Sequence, residues 1–384
     1  MTNFKFPKGS MWRRWDLHIH SPDSILENNF DGSDLNEKWD NYINKLEELT
    51  DISVIGVADY YSISGYKRLR EAKNNGRLKN IDLILPNVEC RFNIRTESDG
   101  TVNLHFIFNP EIVNELESRF FSNLIFTYNG RPYKCLKDDL IKLGRDFKND
   151  QNLEIDAALK EGVNQFKVSI ELIKGILGSD RELCENVFII VPNSSKDGNS
   201  GVQEGGFAAS REEVYRISHA IFSGNPNDRK YFLGNGVDAA DEVERKCGSL
   251  KPCIHGSDAH SLDKIGIVDG ERFCWIKSDS SFEGLKQIII EPDSRVRIQS
   301  SNPLCDFKRP YFTNITSSIG KIFNGMPVET SDISLKLNPY MCCIVGGRGT
   351  GKSILLDLLR RTFDEESKGR HKDIIHSDFK VSVQ

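Results

Sequence analysis

The sequence predicts an α/β fold, because short apolar runs typical of strands alternate with longer stretches that have a helical period. The strand-like runs are residues 15–19, 53–58, 81–85, 102–108, 187–191, 220–223, 252–256 and 272–276. A second observation is that polar side chains follow many of these runs directly. In parallel α/β barrels, reactive residues gather at the carboxyl ends of the strands. We therefore expect buried, parallel strands with a functional site at one end.

The connecting segments are predicted in turn. Trp39, Ile43, Leu46 and Leu49 recur at helical spacing, and Ser64 is expected to cap a helix that runs to Gly76. Residues 111–180 are predicted to form a mainly helical insertion. The Gly- and Ser-rich stretch 194–206 is expected to be a loop, either a mobile active-site loop or a plain surface loop.

Length and composition limit the class of protein. The chain has 384 residues, of which 38% are hydrophobic and 28% charged, so it matches a globular protein of two or three domains. A formal charge of -5 excludes a global basic field. Nine cysteines without C-x-x-C spacing suggest a reducing cytoplasm, and no apolar run predicts a membrane partner. A polar stretch at 300–302 predicts a boundary between domains 1–300 and 301–384.

Metal-competent side chains recur near the strand ends. His18 and His20 are two apart in a predicted strand and so face the same side, and Asp258 and His260 form a second pair. Glu89, His105, Asp59 and Asn193 occupy comparable positions, and Asp23 is a weaker candidate. Imidazole and carboxylate ligands together suit Mn, Zn or Fe better than Ca or Mg. We therefore predict a site for divalent metal.

The segments DLHIHSPDS, IGVADY, LPNVECR, NLHFIF and IHGSDAH, in this order, resemble the polymerase and histidinol phosphatase (PHP) family. The resemblance covers roughly residues 11–300 and implies a distorted (β/α)7 PHP barrel that hydrolyses phosphate esters with two or three metal ions. The residues expected to be catalytic are His18, His20, Glu89, His105, Asp258 and His260, and Asp59 is added as a metal ligand. Two positions depart from the family pattern, because Tyr60 and Pro192 stand where histidines are usual.

A basic segment, residues 67–79, contains Lys67, Arg68, Arg70, Lys73, Arg77 and Lys79. It could hold phosphates near the pocket. A solvated helix face is the favoured interpretation.

The second motif, GGRGTGKS, fits the phosphate-binding loop G-x-x-x-x-G-K-S. An apolar strand is expected before it and an amphipathic helix after it. Backbone N–H groups would wrap the phosphates of ATP, Lys352 would reach the outer phosphates and the Ser353 hydroxyl would bind Mg. The predicted nucleotide-binding residues are Gly346, Gly347, Gly349, Gly351, Lys352 and Ser353.

The motif and its surroundings resemble SMC and ABC-type ATPases, and the pairing with a PHP barrel resembles the TrlF family of AAA-like ATPases. The parts that match it are NGRLKNIDLILPNVE, SLKPCIHGSDAHSL and FEGLKQII. The resemblance implies an incomplete ATPase domain, which would belong to a longer parent protein or a cut form of it. It also implies a homo-oligomer formed through that domain. Weak or absent ATP turnover is expected, because no Walker B acid follows the loop.

Three functions are compatible with these patterns. The first is a metal-dependent phosphoesterase, a nuclease acting on nucleic acid, coupled to the ATPase and by analogy involved in defence against phage. The second is a degenerate barrel that binds nucleotide or nucleic acid without cleavage. The third is an ATP-dependent module in which only the phosphate-binding loop is active.

Overall fold

The structure is a computed structural model that describes residues 8–95, 101–193, 208–317, 333–350, 352–361 and 380–383. The chain divides into two compact units. The larger unit is Trp12–Pro303, and the smaller joins Met1–Met11 with Leu304–Gln384. The loop predicted at 194–206 lies outside the described residues.

A nearly closed, barrel-like sheet of nine strands forms the larger unit, so the predicted α/β fold is confirmed at this level. The strands of the unit are β1 Met11–Ile19, β2 Ile52–Tyr60, β3 Leu83–Arg95, β4 Thr101–Phe108, β5 Ile125–Tyr128, β6 Arg131–Lys134, β7 Val187–Pro192, β8 Ala220–Phe222, β9 Cys253–Ile254, β10 Cys274–Ser278 and β11 Val296–Ile298. Their order in the sheet is β11-β10-β1-β2-β3-β4-β7-β8-β9, while β5 and β6 form a separate hairpin.

The sheet is mixed, so the expectation of parallel strands is confirmed for only part of it. β1, β2 and β3 run parallel, and so do β7, β8 and β9, but β4 is antiparallel to both β3 and β7. The reason is the short connection between the two strands. Arg95 and Thr101 are too close in sequence for the crossover that a parallel pair needs. β4 is therefore antiparallel to β3 and enters the sheet reversed.

The segment after β9 returns to β1 and nearly closes the barrel. The backbone N–H of Asp258 donates to the His18 carbonyl at 2.8 Å, and that of His20 donates to the Ala259 carbonyl at 3.0 Å. Gly256 permits this approach, since a Cβ there would lie 2.6 Å from the His18 Cβ. The return places residues 256–260 beside the end of β1.

Helices pack around the sheet and cover the larger part of the core. They are α1 Leu35–Glu47, α2 Ser64–Asn74, α3 Leu116–Arg119, α4 Lys137–Lys148, α5 Ile155–Gln165, α6 Ile170–Ser179, α7 Arg181–Glu185, α8 Ala208–Ile217, α9 Pro226–Phe232, α10 Ala240–Cys247, α11 Phe282–Ile290 and α12 Pro292–Arg295. Trp39, Ile43 and Leu46 are buried on α1 as their spacing predicts, whereas Leu49 lies after the helix.

Two local predictions need correction. Ser64 does not cap α2 but is its first residue, and its backbone N–H donates to the Ser62 hydroxyl at 3.1 Å. The insertion 111–180 contains α3 to α6, but it also contains the β5–β6 hairpin. The hairpin turn has Asn129 and Gly130 at positive φ, which is the backbone conformation that tight hairpin turns require.

The smaller unit contains a three-stranded antiparallel sheet in the order β13-β12-β14 and one helix. Its elements are β12 Phe312–Ser317, β13 Ile333–Lys336, β14 Lys380–Val383 and α13 Lys352–Arg361. The apolar strand predicted before the phosphate-binding loop was wrong, because residues 341–345 are exposed and have no regular structure. An apolar strand of this type requires neighbouring strands to pair with, and none pairs with these residues in the described part of the unit.

Among the described residues, every helix is too short or too polar to cross a membrane.

Candidate functional site

Six of the residues predicted to bind metal meet in one cluster inside the larger unit. His18 lies on β1 and His20 directly follows it, and their Nε2 atoms are 3.3 Å apart. Glu89 of β3 is paired with His105 of β4 in the antiparallel register. Asp258 follows β9 and is tied to β1 by its backbone. We call the set His18, His20, Glu89, His105, Asp258 and His260 the His–carboxylate cluster.

The ligand atoms of the cluster converge on the two carboxylates. His18 Nε2 lies 3.0 Å from Asp258 Oδ1 and 3.8 Å from Glu89 Oε2. The corresponding distances from His20 Nε2 are 3.5 Å and 3.4 Å. His260 Nε2 lies 3.4 Å from Asp258 Oδ1, and its ring stacks on His20 with centroids 3.8 Å apart. Two groups of possible ligands result, His18 with Glu89 and His105, and His18 with His20 and Asp258.

Neutral side chains fix the tautomers of two histidines. The Asn87 amide nitrogen donates to the Leu17 carbonyl at 2.9 Å, so its Oδ1 faces His105 Nδ1 at 3.3 Å and can only accept. The Ser24 hydroxyl donates to the Leu26 carbonyl and therefore accepts from His20 Nδ1 at 3.4 Å. Each histidine thus carries its proton on Nδ1 and presents an Nε2 lone pair to the centre of the cluster.

Burial and charge move the pKa values in the cluster apart. Burial disfavours the cationic form of His18, but Asp258 and Glu89 outweigh it and raise its pKa to about 9. Burial lowers the pKa of His20 to about 4 and that of His105 to about 3, so both rings are neutral near pH 7. The histidines hold the pKa of Asp258 well below its usual range, against the effect of its burial.

The cluster contains buried polar atoms without hydrogen-bond partners among the described residues. They are Glu89 Oε2, His105 Nε2 and His260 Nδ1. Glu89 Oε2 and His105 Nε2 belong to one of the two possible ligand groups. Buried polar atoms normally have partners, because an unpaired one costs about 1–3 kcal/mol. Two carboxylates with the lone pairs of the neutral His20 and His105 beside them are a donor set that fits a divalent cation such as Mn, Zn or Fe.

The structure does not bring every predicted residue into the cluster. Both Asp59 oxygens are used elsewhere, since they accept from the Ser21 hydroxyl at 2.8 and 3.1 Å and one also accepts from the Gly65 N–H at 3.1 Å. Burial raises the pKa of Asp59 to about 7, with the Ser21 bond opposing. Asp23 accepts from the Trp39 indole at 2.9 Å. Asn193 donates to Asp228 and accepts from the Tyr215 hydroxyl, each at 2.7 Å.

The two positions that depart from the family pattern have structural roles. The Tyr60 ring packs against His20 with centroids 5.3 Å apart, and Arg91 lies 5.1 Å above the Tyr60 ring. Pro192 ends β7 and pairs with Phe222 of β8. Tyr60 therefore supports His20 by packing. The sequence prediction considered only the polar residues near the strand ends and did not include this contact.

Several residues around the cluster were missed by the sequence analysis. Asn103 donates to Glu89 Oε1, and Glu27 Oε2 lies 3.7 Å from His260 Nε2. Asp16 accepts from the Ser257 N–H at 3.0 Å and so links β1 to the returning segment. Asp16 could have been predicted from the sequence, because it lies two residues before His18 in the same strand and so faces the same side. Asn87 and Asn103 likewise lie two residues before Glu89 and His105. Their role could be recognised only once the pairing of β3 with β4 was known.

The basic segment mostly makes structural contacts. Arg77 forms an ion pair with Glu47 at 2.7 Å, and Lys73 donates to the backbone carbonyls of Leu78 and Ile81. Arg68 lies 5.2 Å from the Trp39 ring. Lys67 lines a cavity between the barrel loops and the helical insertion.

The GGRGTGKS motif lies in the smaller unit, and its residues 346–350 are exposed. α13 begins at Lys352, as the motif predicts. The Lys352 ammonium donates to the carbonyls of Gly346 at 2.6 Å and Gly347 at 2.5 Å, and Gly349 has a φ of +83° that favours glycine. Ser353 is the second residue of α13, and Gly351 lies outside the described residues.

Neither a scan against protein-family models nor a search of curated proteins gives a match for this chain.

Proposed function

We propose that the larger unit is a metal-dependent phosphoric ester hydrolase that acts on nucleic acid, and that the loop of the smaller unit binds ATP with Mg. The observation that carries the first part is the convergence of four histidines and two carboxylates in the His–carboxylate cluster. The GGRGTGKS motif at the start of α13 supports the second part.

The His–carboxylate cluster would hold one or two divalent cations, Mn, Zn or Fe. Such a cation, when bound, acidifies water, holds phosphoryl oxygens and stabilises the charge of a leaving group. The chain's own residues prepare this site: Glu89 and Asp258 supply negative charge, and Asn87 and Ser24 aim the lone pairs of His105 and His20.

The cluster is open on one side. The side chains of His18, His20 and Glu89 are at most 4% exposed, whereas that of Asp258 is 35% exposed and that of His260 is 16% exposed. A phosphate ester would therefore approach from the side of Asp258 and His260. The buried histidines behind them would exclude bulk water, which strengthens the electrostatic interactions inside the site.

A barrel that binds nucleotide or nucleic acid without cleavage is the second candidate. It is favoured by the aromatic ring of Tyr60 and by Pro192, which stand at two positions where the resembled family has histidines. The six remaining ligands are sufficient for one cation or two, so we favour catalysis.

The test measures the metal content of the purified chain and the cleavage of single-stranded DNA, duplex DNA, tRNA and a chromogenic phosphodiester with Mn. We expect at least about one Mn, Zn or Fe per chain and metal-dependent cleavage that His18→Ala abolishes. His255→Ala is the control, because His255 Nδ1 bonds the Arg272 carbonyl at 2.8 Å and lies outside the cluster. Less than one metal per chain and no gain on adding metal would contradict the proposal.

Lys352→Ala distinguishes the two units. It is expected to remove ATP binding and to leave the metal content of the larger unit unchanged. If Lys352→Ala removes the measured activity while His18→Ala leaves it intact, the phosphate-binding loop is the only active site and the proposed hydrolase is wrong.

A further inference from the structure

A large cavity lies between the barrel loops and the helical insertion. Its volume is about 1390 Å³. One wall is the segment after β1, including Ser24, and the loop after β2, including Tyr61 and Ile63. The opposite wall comes from the insertion, including Phe121, Leu140 and the first turn of α4.

The cavity is adjacent to the His–carboxylate cluster. Ser24 lines the cavity, and its hydroxyl lies 3.4 Å from His20 Nδ1. Tyr61 also lines it and follows Tyr60, whose ring packs on His20. A single layer of side chains therefore separates the cavity from a predicted metal ligand. An extended substrate whose reacting phosphate lies at the cluster would pass around this layer to place its next part in the cavity.

The lining combines an apolar floor with positive charge at the rim. Ile63, Val113, Phe121 and Leu140 are buried on the floor. Four lysines line the cavity, and none of them forms an ion pair with a carboxylate within the described part of the chain: Lys38, Lys67, Lys137 and Lys160. The carboxylates of the lining are Asp23, Glu117 and Asp156, and Asp23 lies 3.8 Å from Arg68. The lining therefore keeps an excess of positive charge.

We infer that this cavity binds the segment of a single-stranded nucleic acid that flanks the scissile phosphate. The volume exceeds the roughly 300–1,000 Å³ of ordinary small-molecule pockets, so an extended ligand fits it better than a small ester. Lysines along a groove bind the phosphates of a single strand, and an apolar floor receives unstacked bases. This inference rests on the proposed function, since it names the substrate of the same site.

The test is equilibrium binding of a fluorescent single-stranded oligonucleotide to the full chain in EDTA, where no cleavage occurs. We compare the triple variant Lys67→Ala, Lys137→Ala, Lys160→Ala with the triple variant Lys230→Ala, Lys264→Ala, Lys308→Ala, which removes three exposed lysines outside the cavity. The cavity triple is expected to weaken binding at least tenfold. The slope of log K against log salt should fall in magnitude by about 2, because each lost phosphate contact contributes about 0.7.

The control triple is expected to weaken binding less than threefold, and the triple Lys→Arg variant at the three cavity positions should restore it. Equal losses in the two alanine triples, or no binding of the oligonucleotide by the wild-type chain, would overturn the inference. The proposed hydrolase is judged separately by metal-dependent cleavage of the chromogenic phosphodiester. Cleavage without selective binding rejects the cavity alone, and selective binding without any cleavage rejects the hydrolase.

Discussion

Asn87 and Ser24 orient two histidines of the His–carboxylate cluster without adding charge. Each uses its own donor on a backbone carbonyl and offers an oxygen to a histidine Nδ1. The partner of a ligating imidazole fixes its tautomer and ring orientation, and losing such a partner typically costs 10–100-fold in metal affinity. These neutral side chains therefore determine which nitrogen faces the predicted metal.

We predict that Asn87→Ala lowers the affinity for Mn or Zn about 10–100-fold, because His105 loses the acceptor that holds its proton on Nδ1. Isothermal titration calorimetry on the metal-free chain measures this. Asn109→Ala is the matched control at the end of β4, where the Asn109 amide bonds Asn186 at 2.8 Å. Similar affinities in the two variants would show that Asn87 does not position His105.

Three of the seven non-glycine residues that have positive φ in the described part of the chain lie in or beside the His–carboxylate cluster. Glu27, Tyr61 and Asp258 have φ values of 54°, 52° and 50°, which non-glycine residues rarely adopt. Backbone hydrogen bonds hold two of them, from the Tyr61 N–H to Glu89 at 3.1 Å and from the Asp258 N–H to His18 at 2.8 Å. Such conformations persist where the surrounding structure over-determines them, which is frequent at functional sites.

At the scale of elements, the reversed direction of β4 brings the cluster together. Because β3 and β4 are antiparallel, Glu89 pairs directly with His105. Asn87 and Asn103 lie two residues away on the same two strands, so their side chains point to the same face. This pair of strands thus supplies two candidate metal ligands and the two amides that hold them.

The crossing of α4 and α5 forms part of the cavity wall and depends on glycine. A Cβ at Gly162 would lie 1.8 Å from the Leu140 carbonyl oxygen, whereas a Cβ at Gly175 in α6 meets nothing within 4 Å. We predict that Gly162→Ala lowers the free energy of unfolding by roughly 3 kcal/mol through this clash. Gly175→Ala should raise it by roughly 0.5–1 kcal/mol, because alanine favours the helix. Urea unfolding followed by circular dichroism measures both, and equal effects would refute the close crossing.

At the scale of the whole molecule, neutral histidines inside the larger unit make stability depend on pH. His219 lies outside the cluster, and its Nδ1 accepts the Ile189 N–H at 2.9 Å. Burial lowers the pKa of His219 to about 4, and Lys251 and Lys286 add to the effect. In the unfolded chain His219 takes up a proton near pH 6.5, whereas in the folded chain it does so only near pH 4. The contribution of neutral His219 to the free energy of unfolding is therefore complete above pH 6.5 and is lost as the pH falls to about 4.

We predict that, between pH 6.5 and 4, the wild type loses up to about 3 kcal/mol of unfolding free energy relative to His219→Phe. The variant leaves the Ile189 N–H without its His219 acceptor at every pH. This loss shifts the free energy of unfolding of the variant by the same amount at each pH, so it does not affect how the difference between the two proteins changes with pH. Chemical unfolding at a series of pH values gives the difference. Parallel curves for the two proteins would show that His219 does not titrate with a lowered pKa.

Some features follow from the sequence alone because they depend on local covalent geometry. The alternation of apolar runs predicts the α/β fold, the two-residue spacing of His18 and His20 puts both on one face, and the GGRGTGKS motif predicts where α13 begins. Contacts between distant segments were decided only by the tertiary structure. The direction of β4, the use of Asp59 by Ser21 and the role of Asn87 depend on which strands are neighbours and in what register. Strand order and register arise from packing of the whole core. The pairs of candidate metal ligands could therefore be predicted from the sequence, whereas the residues that position them could not.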